Sequence, residues 1–200
     1  MYHAIESEKA VKQVLTSRYT RNAYTLATKL HCSFVKSFED RDRIFNTQLE
    51  NTGVDYFDYY LLHDLGTEHY EIYKKYDCFN WLREKKRLGL AKQIGFSFHD
   101  TADLLDKILT ENPDMDFVQL QINYLDWESD TIQSRKCYEV ARKHGKDIIV
   151  MEPVKGGQLA KLPEKAEAML RELDPKATPA SYAIRFAASL EGVFLVLSGM

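Results

Sequence analysis

Cysteine is scarce in this 200-residue chain: Cys32, Cys78 and Cys137 are odd in number, widely spaced and form no CxxC pair. That excludes a disulfide framework, and no ligand spacing points to a metal. A reducing, cytoplasmic setting is expected. Long apolar runs are also lacking; none approaches the roughly 20 residues a membrane helix needs. The start, Met1-Tyr2-His3-Ala4-Ile5-Glu6, has neither the basic opening nor the apolar centre of a signal peptide. There is no excess of basic charge: 27 Lys and Arg face 30 Asp and Glu, for a net charge of -3. A nucleic-acid partner is therefore not expected. No Gly/Ser/Pro-rich linker interrupts the chain, so residues 1–200 are expected to form one domain. A GxGxxG turn is missing too, and Lys155-Gly156-Gly157 is too short and too late to replace it. That counts against a doubly wound dinucleotide-binding sheet.

What is present is a regular alternation. Short runs rich in Val, Ile, Leu, Tyr and Phe occur at 23–30, 55–63, 91–98, 116–122, 147–152 and 193–197. They are nearly continuous in apolar character and bounded by polar or turn residues, as strands buried on both faces are. Amphipathic stretches lie between them. The spacing predicts helices over 7–18, 39–51, 70–88, 101–109, 130–143 and 179–190. Gly53, Gly89 and Gly145 stop three of these. Asp100 is a fitting N-cap for the fourth, and Thr178 caps the last with Pro179 at its first position. Strand then helix, six times over, predicts an α/β fold with a parallel sheet. With the open sheet disfavoured, a (β/α)8 barrel is expected. Such barrels usually need about 250 residues, so this chain is short for a whole one.

Active sites of these barrels lie at the carboxyl ends of the strands. The first run delivers Lys29 and His31, the second His63 and Asp64, the third Ser97 and His99. The fourth delivers Gln119, Gln121 and Asn123. The fifth delivers Glu152 and then Val154, Lys155, Gly156 and Gly157, and the last Ser198 and Gly199. Polar residues end strands for the plain reason that loops are wet. The joint pattern asks for more. A lysine inside Ala27-Thr28-Lys29-Leu30 is costly unless paired. Gln119 and Gln121 face one side by the period of two and need hydrogen-bond partners there.

These stretches resemble the aldo-keto reductase family. ATKL at 27–30, VDYFDYYLLHD at 54–64, IGFSFHD at 94–100, FVQLQINYLD at 117–126, VMEPVKGGQL at 150–159 and VLSGM at 196–200 follow the family's order, and the likeness covers essentially the whole chain. MEPVKGGQL with GFSFHD is similar to a bacterial branch that often appends a ferredoxin-like iron–sulfur module. Any 4Fe–4S cluster would belong to such a module outside this chain. The resemblance implies a catalytic set of Tyr2, Lys29 and His63, with the family's Asp expected just before Tyr2. It implies a (β/α)8 barrel lacking its first strand, most of its second and the region after its last.

The implied chemistry is reduction of an aldehyde or ketone to an alcohol by NADP(H), with NAD the alternative, or the reverse. A free tyrosine titrates near 10, and a neighbouring ammonium lowers that value. Tyr2 is then the proton donor and Lys29 its tuner, while His63 orients the carbonyl oxygen. Ser97 and Gln119 would hold the nicotinamide carboxamide. Val154, Lys155, Gly156 and Gly157 would approach the pyrophosphate, and Ser198 and Gly199 would complete the cofactor site. Phe98 stands where many members carry Asn, and Met151 where many carry a stacking tyrosine. Partners are a small carbonyl or alcohol and, through open sheet edges, other copies of the chain.

Each residue has a plainer reading. Tyr2 could be a surface residue, Lys29 a strand-end charge reaching solvent, and His63 a structural histidine. His31, His69 and His144 read as structural, and Cys32 has no evident base to make it a nucleophile. Two other functions remain open. One is a barrel lyase or isomerase with Lys29 forming a Schiff base. The other is a non-catalytic cofactor-binding or partner module.

Overall fold

The computed structural model of the chain describes residues 6–197. They form two compact units, divided between Ser97 and Phe98.

The first unit opens with helix α1, Glu6–Val11, which runs on as a π-helical turn over Lys12–Thr16. Strand β1 is Ala27–His31, helix α2 Phe38–Thr52, strand β2 Phe57–Leu65. Helices α3, Thr67–Lys75, and α4, Cys78–Arg87, lead to strand β3, Ala91–Phe98. Helix α2 begins at a capping box in which the Asp40 carboxylate accepts the backbone N–H of Ser37 at 2.9 Å. It stops at Gly53, whose φ of 68° a side chain would resist. Strand β1 pairs with β2 in parallel, with Lys29 opposite Leu61 and His31 opposite His63. Phe45 of α2 and Trp81 of α4 pack on Phe57 and Tyr60 of β2 and close the helical side of the core.

The single helix expected over 70–88 is two helices. Asp77 adopts a left-handed φ of 49°, and the Arg41 guanidinium donates to the carbonyls of Tyr76 and Asp77. Asp tolerates that backbone region better than most residues. A cation reaching across from α2 thus satisfies the Tyr76 carbonyl, which a continuous helix would have paired internally, while the Asp77 carbonyl also accepts the Trp81 N–H of α4.

The second unit holds helix α5, Ala102–Glu111, strand β4, Phe117–Gln121, helix α6, Ser134–Lys143, and strand β5, Asp147–Met151. Helices α7, Glu164–Leu173, and α8, Pro179–Ser189, precede strand β6, Val193–Val196. Strand β5 pairs in parallel with β4 on one side and β6 on the other, with a bulge between Ile148 and Ile149. Three expectations change here. Thr101, not Asp100, caps α5; the Asp100 carboxylate instead accepts the Thr101 N–H at 2.7 Å. Helix α6 starts at Ser134 because the stretch before it turns back on itself to Gln133, at φ 56°. Helix α7 was not foreseen, although Ala166, Met169, Leu170 and Leu173 recur at helical spacing; it buries none of them among the described residues. Thr178 caps α8 through the Ser181 N–H, as expected. No helix among the described residues is long and apolar enough to cross a membrane.

Candidate active site

In the first unit the strand register sets the site. Residues two apart on a strand share a face. Lys29 and His31 of β1 therefore lie beside Leu61 and His63 of β2. Lys29 and His63 both line one cavity of about 240 Å³, together with Ser7 and Glu8 of α1, Thr28 and Thr52. Burial holds the Lys29 ammonium below its ordinary pKa, and no ion pair with a described carboxylate offsets that. Its backbone is fixed from outside the strand. Gln48 Nε2 of α2 donates to the Lys29 carbonyl at 2.9 Å, and Tyr60 of β2 donates to Gln48 Oε1 at 2.6 Å.

One buried hydroxyl ties the two strand ends together. Tyr73 of α3 accepts the N–H groups of Cys32 at 3.0 Å and His63 at 3.1 Å. It also lies 2.8 Å from the Leu30 carbonyl and 2.7 Å from that of His63. Past His63 the chain turns sharply at Asp64, at φ 61°. The Asp64 N–H donates to Ser97 Oγ of β3 at 2.8 Å, and its carbonyl accepts His69 Nδ1–H at 2.6 Å. The His31 and His63 rings meet edge to face at 5.1 Å. Burial raises the Cys32 thiol above its ordinary pKa, with Asp64 adding to the rise, so it is a poor nucleophile.

In the second unit, Gln119 is buried, and its Nε2 donates to the Met151 thioether at 3.1 Å. Gln121 meets a separate network. Asp126, 4% exposed, accepts Gln121 Nε2 and Asn123 Nδ2, each at 2.9 Å, and also the Lys155 ammonium. Asn123 Nδ2 reaches the Glu152 carbonyl at 3.2 Å. Burial pushes the Asp126 carboxyl up, yet the bonds from Lys155, Asn123 and Gln121 hold it below the usual range. Both ends of the turn that leaves β5 are thus anchored. Glu152 and Lys155 take positive φ of 57° and 50°, and Gly157 sits at 88° with open space where a Cβ would be.

The profile of the aldo/keto reductase family matches residues 1–200. The chain belongs to the aldo/keto reductase family. No curated protein matches it. Among solved structures it is similar to the aldo-keto reductase AKR11C1 of Bacillus halodurans in its holo form, with TM-score 0.71 and 20% identity, covering 98% of this chain and 68% of that one. It is similar to an aldo/keto reductase of Klebsiella pneumoniae in complex with NADP and acetate, with TM-score 0.71 and 18% identity over 100% and 67%. A third is the thermostable aldo-keto reductase Tm1743 in complex with the inhibitor epalrestat, with TM-score 0.74 and 20% identity over 96% and 66%. The fold is that of the family's α/β barrels, and the chain spans about two thirds of the length of these relatives.

Within the aldo/keto reductase frame, the first unit brings together Lys29 and His63, with Ser97 one hydrogen bond away through Asp64. The second unit places Val154, Lys155, Gly156 and Gly157 in one turn and Gln119 in β4. Tyr2, Ser198 and Gly199 lie outside the described residues. The Lys155 ammonium is committed to Asp126, which leaves its backbone for the expected part. Sequence reasoning missed Tyr73 and Asp126. Asp126 stands inside the quoted FVQLQINYLD and could have been found as the acid that Gln121, Asn123 and Lys155 require. Tyr73, one of twelve tyrosines, carried no signal.

Tyr73→Phe is expected to cost about 2 kcal/mol of stability, because buried N–H groups lose their acceptor. Urea unfolding checks this; an unchanged midpoint would show that the four contacts are idle.

Proposed function

We propose that this chain carries the reducing centre of a nicotinamide-dependent carbonyl reductase, converting an aldehyde or ketone to an alcohol or running the reverse. The observation that carries this reading is the pairing of Lys29 and His63 on one face at one cavity, with the lysine desolvated. Residues 1–200 act as one aldo-keto reductase-like barrel domain. The three unpaired, buried cysteines suit a cytoplasmic setting.

Each unit, taken by itself, offers groups of the kind a nicotinamide dinucleotide uses. The Ser97 hydroxyl accepts the Asp64 N–H and keeps its own hydrogen to donate. Gln119 donates only to a thioether, which leaves its Oε1 for a carboxamide N–H. The open space over Gly157 admits a pyrophosphate close to the backbone. When bound, the cofactor supplies the hydride that no side chain can. Tyr2 donates its phenolic proton to the carbonyl oxygen as that oxygen gains charge. Lys29 lowers the tyrosine pKa toward neutrality. His63 donates a hydrogen bond to the same oxygen and fixes its direction. NADP is the preferred form, since NADP and NADPH are bound in the Klebsiella pneumoniae relatives.

Tyr2→Phe is expected to lower turnover about 10²- to 10⁴-fold, the range of general acid catalysis. NADPH oxidation against a panel of aldehydes and ketones measures it, and turnover untouched by the substitution would sink the assignment. The same desolvation of Lys29 favours a second reading, in which its neutral amine forms a Schiff base with a carbonyl substrate. Borohydride trapping of substrate on Lys29 would decide for that reading.

A further inference from the structure

We propose that His31, Asp64 and His69 form a binding site for a first-row divalent transition metal of the zinc or cobalt kind, at the carboxyl ends of β1 and β2. One ligand atom from each of the three lies within 4.8 Å of the others. The Asp64 carboxylate is 3.9 Å from His31 Nε2 and 3.4 Å from His69 Nδ1. In a tetrahedral zinc site with bonds of about 2.1 Å, neighbouring ligand atoms stand about 3.4 Å apart. The His69–Asp64 pair already meets that spacing, His31 must close on Asp64 by about half an ångström, and the two imidazole nitrogens, within 4.8 Å, close on each other by up to about 1.4 Å. Two imidazoles and one carboxylate suit zinc, cobalt, nickel or copper and not magnesium or calcium, which prefer oxygen.

The surroundings hold the donors in place. The rings of His31 and His69 meet at 5.3 Å and 71°. Asp64 is held at its left-handed φ by Ser97 Oγ at its N–H; the hydrogen bond from His69 Nδ1 to its carbonyl is given up when that nitrogen turns to the metal. A backbone kept in a sparsely populated region by its neighbours is a frequent mark of a ligand clamp. The cost of loading is modest. His31 Nδ1 accepts the Ser33 N–H at 3.1 Å, so its Nε2 carries the hydrogen, and His69 Nδ1 carries the other. Each imidazole must change tautomer without changing charge. Ser33 is exposed, so its N–H passes to water. The three residues come from two strand ends and a helix, at positions 31, 64 and 69, so no sequence spacing betrays them.

The His31 ring lies 5.1 Å from that of His63. Where the reading of His63 as a carbonyl-orienting residue holds, a dication here also inhibits turnover. The test is titration of the full chain with cobalt(II), followed by its visible absorption, without nicotinamide or substrate. A saturable one-to-one spectrum with a dissociation constant of about 10 µM or tighter is expected. Asp64→Asn and His69→Ala should each weaken it about 10- to 100-fold. Asn tolerates the left-handed backbone, so the first variant keeps the turn. His144→Ala, at a histidine paired with Asp106 far along the chain, should leave it unchanged. Absence of a saturable spectrum up to millimolar cobalt, or equal affinity in all three variants, would overturn the proposal. Because binding is read directly, this outcome is separate from whether the chain reduces carbonyls.

Discussion

Replacing Lys29 by methionine is expected to give a chain that is more stable and nearly inert. The two effects share one cause. Lys29 sits desolvated within β1 with no ion pair to a described carboxylate, and burial lowers its pKa. A buried charge without a partner opposes folding. Methionine keeps the long unbranched shape and removes that charge. A gain of about 1 kcal/mol is expected, a few degrees in melting temperature for a chain of this size. The pH dependence fixes the sign. The folded chain holds the Lys29 proton less tightly than the unfolded chain does. The penalty is full below the lowered folded pKa and fades as pH rises toward about 10.5, where the unfolded lysine also loses its proton. The advantage of Lys29→Met should therefore be largest at neutral pH and gone in strong alkali. Turnover should fall about 10²- to 10⁴-fold, because the proton donor loses the charge that tunes it. Melting curves across pH and steady-state NADPH oxidation measure the two halves. A variant that melts lower at pH 7, or still turns over, would break the link between desolvation and function.

The residues that supply this centre were readable in the sequence because strands announce them. An apolar run of eight residues closed by a polar one names both an element and the end that matters. Lys29, His63 and Ser97 all stand at such ends, and β3 runs over the predicted 91–98. The fold class was legible for the same reason: the alternation of strand and helix is global and survives local error. What escaped lies where distant groups override local pattern. The break at Asp77 needs Arg41 from another helix. Tyr73 matters because its hydroxyl falls between two strand ends, a fact of tertiary geometry that residue type does not carry. Helix α7 is the exception: Ala166, Met169, Leu170 and Leu173 keep the helical period in the sequence, although the helix buries no residue. Lys155 shows a related limit. Its place beside two glycines directed attention to the backbone, and nothing local showed that its side chain pairs with Asp126.

That internal anion supports the other large effect. Asp126→Asn is expected to cost about 3 kcal/mol, close to the cost of breaking a buried ion pair, although the two side chains have nearly the same shape. Asp126 Oδ2 accepts N–H groups from Gln121 and Asn123, while Oδ1 accepts the Lys155 ammonium. An asparagine has one acceptor and one donor. Whichever way its amide turns, an NH₂ meets either two amide donors or a cation, and a buried group goes unsatisfied. Acid should act in the same sense. Despite burial, the Asp126 pKa is held below the ordinary carboxylate value, so its stabilisation is full above about pH 4 and is lost as pH falls through the folded pKa. The gap in stability between the parent chain and Asp126→Asn should therefore narrow below pH 4. The loss should also reach the cofactor. Asn123 holds the Glu152 carbonyl and Asp126 holds Lys155, so both anchors of the turn carrying Val154, Gly156 and Gly157 depend on this one carboxylate. NADPH affinity is expected to fall about tenfold or more, some 1.4 kcal/mol, as the freed turn must be ordered again on binding. Urea unfolding from pH 3 to 7 and calorimetric titration with NADPH separate the two effects. An Asp126→Asn chain that unfolds like its parent would show that the network is decoration. One that unfolds earlier yet binds NADPH as tightly would place the pyrophosphate away from this turn.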